Sequence, residues 1–82
     1  MKGGAMTYRI TIRSTGEVLA ARAATIEHAA GVIARRLYGR TAWAVRATGT
    51  CGKSGIFAAY HHDRRLHATN QVGSEFHVAG AS

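Results

Sequence analysis

The chain has 82 residues, 46% hydrophobic and 18% charged, with eleven Lys and Arg against four acids for a formal net charge of +7. That length fits one domain, residues 1–82, burying roughly 60% of its unfolded surface and leaving little room for a cleft that sequesters a reaction. The composition excludes a disordered tail, and the lone cysteine, Cys51, excludes an intrachain disulfide.

In chain order, residues 1–6 read as a flexible leader, with no secretory signal behind them. Thr7–Arg13 alternates strictly, Tyr8, Ile10 and Ile12 on one side, and predicts a half-buried strand. Ser14-Thr15-Gly16 is a turn, and Glu17–Ala23 a weakly patterned second strand. Thr25 caps a helix predicted over Ile26–Tyr38, with Glu27 against the positive end of its dipole and Gly39 just beyond its end. Ile26, Ala29, Ala30, Ile33 and Leu37 make its apolar stripe. Thr41–Thr48 alternates again, with Trp43, Val45 and Ala47 opposite Ala42, Ala44 and Arg46; Trp43 is expected in the core. Gly49–Gly55 is turn-like, Ile56–His62 is a strand, Asp63–Gly73 a polar, basic loop, and Glu75–Val78 one short last strand. The sum is an α+β fold, one α-helix on a mainly antiparallel four- or five-stranded sheet in ββαβββ order.

Three constellations invite a chemical reading. Ala47-Thr48-Gly49-Thr50-Cys51-Gly52-Lys53-Ser54 carries the Gly-Lys-Ser end of a phosphate-binding loop. Ala47 replaces its first glycine, and a strand follows where the motif needs a helix N-terminus, so a hairpin tip fits better. His61, His62, His67 and His77 lie close in sequence, but His61 and His62 are adjacent in a strand and point to opposite faces, so no metal site is expected. Cys51 beside Lys53 lacks a third group to orient a nucleophile pair, and no catalysis and no cofactor are expected.

The charge does point somewhere. Nine of the eleven cations are arginine, which suits bidentate contact with phosphate or carboxylate. An acidic partner is expected: nucleic acid, an acidic protein face or a ribonucleoprotein. The densest basic region is expected where the Gly49–Gly55 tip meets the Asp63–Leu66 loop. Tyr38, Trp43 and Tyr60 are the aromatics available for base stacking, and no sequence-specific readout motif is present.

Ser54-Gly55-Ile56-Phe57-Ala58-Ala59-Tyr60-His61-His62, followed by Val72-Gly73-Ser74-Glu75-Phe76-His77-Val78, resembles the C-terminal half of a small phage-encoded anti-CRISPR protein that inhibits the type I-E Cascade complex. The shared pattern is S-G-x-F-x-A-Y-H-H, then V-G-x-x-F-H-V, within a likeness spanning about residues 20–78. The resemblance implies a non-catalytic inhibitor that binds Cascade in the bacterial cytoplasm and blocks target-DNA binding or nuclease recruitment. A net charge of +7 is the wrong sign for a DNA mimic. Lys53, Tyr60, His62, Arg64 and Arg65 are the candidate partner contacts. The alternative reading is a small basic nucleic-acid-binding protein of a phage or mobile element.

Overall fold

A computed structural model describes residues 5–51 and 54–80. Five strands, β1 (Met6–Ile12), β2 (Val18–Ala23), β3 (Trp43–Cys51), β4 (Ser54–Asp63) and β5 (Ala68–Gly80), surround one helix in sequence, α1 (Ile26–Tyr38). The sheet order is β2-β1-β5-β4-β3, and every neighbouring pair is antiparallel. The helix covers one face of this open sheet, so the fold is α+β with the expected ββαβββ order.

The helix has the expected bounds because local signals agree. Thr25 is extended, and its hydroxyl accepts from the His28 amide at 3.1 Å, satisfying one donor of the first turn. At the other end Gly39 takes φ 107°, and its amide donates to the Arg35 carbonyl. Ile26, Ala29, Ala30, Ile33 and Ala34 form the buried stripe. They meet Tyr8, Ile10, Ile12, Phe57, Phe76 and Val78 from the sheet. Phe57 and Phe76 face each other across β4 and β5, their rings stacked at 6.4 Å between centroids.

Four expectations need correction. Met6, assigned to the leader, is the first residue of β1 and pairs with Ala23; residues 1–4 lie outside the described residues. The stretch taken as a loop over Asp63–Gly73 is mostly strand, since β5 starts at Ala68 and its first half pairs with Tyr60–Asp63. β3 reaches Cys51 and β4 starts at Ser54, so much of the Gly49–Gly55 turn is also strand. Finally, Trp43 is not in the core but 38% exposed. Its strand turns Ala42, Ala44 and Arg46 toward the helix instead, and α1 packs more extensively on β3 than on any other strand. Alanines on both surfaces let helix and strand approach closely, and an indole in that seam would force them apart.

β5 departs from regular pairing opposite Ala58. Phe57 pairs with Phe76 and Ala59 with Val72, leaving Gly73, Ser74 and Glu75 in a bulge. Gly73 has φ 66° and lies against the Tyr38 ring at the end of α1. The bulge thus joins sheet and helix where only a residue without Cβ fits.

Candidate partner-binding face

The sheet face away from α1 is defined by register. On β3 and β4 it carries Trp43 opposite Tyr60 and Val45 opposite Ala58. At the other end of the sheet the same face carries Arg9 opposite Ala20 and Arg22 opposite Thr7. Trp43 and Tyr60 stack across the strands, 6.5 Å between centroids with their planes 24° apart. Val45 beside them is 45% exposed. The sequence offers Trp43 and Tyr60 as stacking aromatics but points Trp43 into the core, whereas the structure sets the two side by side on the sheet face away from the helix. The signal for it was the row of small residues, Ala42 and Ala44, on the opposite side of the same strand.

Beyond this pair the strands lead to a basic corner. His62 follows Tyr60 on the same face, about 6–7 Å further along β4. Its Nδ1 lies 3.3 Å from the Thr69 hydroxyl on β5. The β4–β5 turn is held by Asp63, whose Oδ1 accepts from the Arg65 and Leu66 amides at 2.8 and 3.2 Å, and it closes through His67 at φ 51°. Arg64 and Arg65 are exposed on this turn. Thr41, His62 and Arg64 together line a recess of about 380 Å³.

The acids do little to neutralise this coat. Glu27 binds Arg46 at 2.7 Å and Glu75 binds Arg13 at 3.3 Å, and these are the two ion pairs among the described residues. Arg46 also donates to the Ser54 carbonyl and lies 4.9 Å from the centre of the Phe57 ring, so it roofs the core instead of reaching for a partner. Its guanidinium hydrogen-bonds the Glu27 carboxyl and holds it below the usual range. Asp63 is engaged by its own turn.

Of the expected contact residues, Tyr60, His62, Arg64 and Arg65 come together at this corner. Lys53 lies outside the described residues. The expected meeting of the Gly49–Gly55 tip with the Asp63–Leu66 turn does not occur. Ser54 and Asp63 are the two ends of a ten-residue strand, about 30 Å apart at roughly 3.3 Å per residue. Among the described residues no group of three or more His, Cys, Asp or Glu converges, and no helix is long and apolar enough to cross a membrane. Such a fold and face define a small α+β protein with one sheet surface that no described element covers. Comparison with protein-family models and with curated proteins found no match.

Proposed function

We propose that this chain is a non-catalytic binding protein that takes single-stranded nucleic acid on the open face of its sheet. The observation that carries this reading is the Trp43–Tyr60 stack on the sheet face away from the helix, with Trp43 exposed and Tyr60 half-buried, followed along the chain by His62, Arg64 and Arg65. Aromatic rings give bases a sequence-tolerant platform, and cations beside them follow the backbone. Trp43 is the chain's one tryptophan, so its fluorescence reports on this face directly. Titration with oligothymidine or oligouridine should quench it saturably, with affinity falling as salt rises. An unchanged Trp43 signal together with unchanged anisotropy of a labelled oligomer at low salt would refute the reading.

A narrower target is supported by the resemblance of Ser54–His62 and Val72–Val78 to the type I-E Cascade inhibitors. A crRNA-guided complex presents both nucleic acid and protein surface to a basic face, and occupancy there would block target-DNA binding or nuclease recruitment. Its test is capture of purified type I-E Cascade with and without target DNA. Charge reversal at Arg64 and Arg65 should weaken capture; no retention of any type I effector removes this target and leaves the nucleic-acid reading to its own assay.

A further inference from the structure

The recess at the Thr41–His62–Arg64 corner is not needed for stacking, yet it lies one step along β4 from the stacked rings. We propose that it is an anion subsite that seats a backbone phosphate of the single strand whose base lies on Trp43 and Tyr60; this rests on the nucleic-acid reading above.

The three residues that line it carry a hydroxyl, an imidazole and a guanidinium, donor types that together suit the several oxygens of a phosphate. Its parts are also held in place. The Thr69 hydroxyl, 3.3 Å from His62 Nδ1, restrains the ring, and when that hydroxyl donates, Nε2 carries the ring hydrogen and is the donor left for an anion. Arg64 sits on a turn fixed by two amide hydrogen bonds to Asp63 Oδ1. Neither Arg64 nor Arg65 pairs with a carboxylate among the described residues. The spacing of Tyr60 and His62, about 6–7 Å along the strand, is comparable to the reach from a base to the phosphate of its own nucleotide.

The test measures anisotropy of labelled oligothymidine and oligouridine of about eight nucleotides, within the usual site size for such surfaces. It compares the wild-type chain with Arg64→Gln, His62→Ala and Arg35→Gln. Arg35 is exposed in the last turn of α1 on the covered side of the sheet, so its substitution makes the same charge change away from the recess. Circular dichroism checks that each variant keeps its fold. Arg64→Gln should weaken binding about 5- to 10-fold, and His62→Ala about 3-fold, as expected for lost hydrogen bonds to a charged group. Arg35→Gln should change it less than about twofold. Replacing the charged linkages by neutral methylphosphonates should erase the difference between Arg64→Gln and wild type. Binding with Trp43 quenching but equal effects of Arg64→Gln and Arg35→Gln overturns the subsite alone. Failure of the wild-type chain to bind either oligomer overturns the subsite and the nucleic-acid reading together.

Discussion

Replacing Gly73 by alanine tests the contact between the β5 bulge and the end of α1 directly. Gly73 sits in the β5 bulge at φ 66°, and a Cβ built there would lie 2.6 Å from Tyr38 Cζ and 2.8 Å from Cε1. Two costs follow. The backbone conformation disfavours any residue with a Cβ by about 1–2 kcal/mol. The Tyr38 ring, half-buried against the core, must also move, and losing its packing costs about 1–2 kcal/mol more. A total of about 2–4 kcal/mol is a large share of the stability of a domain this size. At about 4–8 °C per kcal/mol, the melting temperature should fall by roughly 8–32 °C. Urea unfolding of the wild type, Gly73→Ala, Tyr38→Ala and the double variant separates the two costs. With Tyr38 removed, Gly73→Ala should retain only its backbone cost, giving a coupling of at least about 1 kcal/mol. An equal cost in both backgrounds would refute the close-approach argument. A cost below about 0.5 kcal/mol in the wild type would refute the backbone argument as well.

Other expectations are simpler. Trp43→Ala should cost only about 0.5–1.5 kcal/mol in urea unfolding, the worth of an aromatic pair, while abolishing oligonucleotide binding; a loss typical of a core tryptophan would contradict its exposed position. Phe76→Ala, which empties a fully buried site, should cost about 3–5 kcal/mol and leave the chain largely unfolded at physiological temperature. Thr25→Ala should cost about 1 kcal/mol through the lost cap, seen as a lower melting temperature; no change would mean that water satisfies the His28 amide equally well. Arg46 lowers the Glu27 carboxyl from its usual 4.5, so the ion pair stabilises the fold above that value and is lost as pH falls through the lower folded-state value. Glu27→Gln should therefore flatten the acid limb of stability against pH while leaving the neutral-to-basic slope unchanged.

The helix was legible because its cap, its stripe of Ile26, Ala29, Ala30 and Ile33 and its closing Gly39 agree with one another. The first strand was legible because Tyr8, Ile10 and Ile12 alternate against polar neighbours. Trp43 lies outside the core because the small Ala42 and Ala44 side of its segment is what packs against the alanine-rich helix. The first half of β5 was hidden for another reason. Thr69, Asn70 and Gln71 are exposed, so no apolar alternation marks them as strand. Their pairing with Tyr60, His61 and His62 supplies the order that burial does not. This same strand length separates Ser54 from the Asp63 turn that carries Arg64 and Arg65.

The sheet order has a kinetic consequence. β1 and β2 form one local hairpin, and β3, β4 and β5 form a meander, each joined by neighbours in sequence. One seam unites them, β1 against β5, where Tyr8 meets Gly80 and Ile12 meets Phe76. Closing it brings together residues far apart along the chain, which carries a larger loop entropy than either local unit. The two parts should therefore form early and dock late. Destabilising changes in the β3–β4 pairing should then mainly slow folding, whereas changes at the seam, such as Ile10→Ala or Val78→Ala, should act mainly on unfolding unless docking limits the rate.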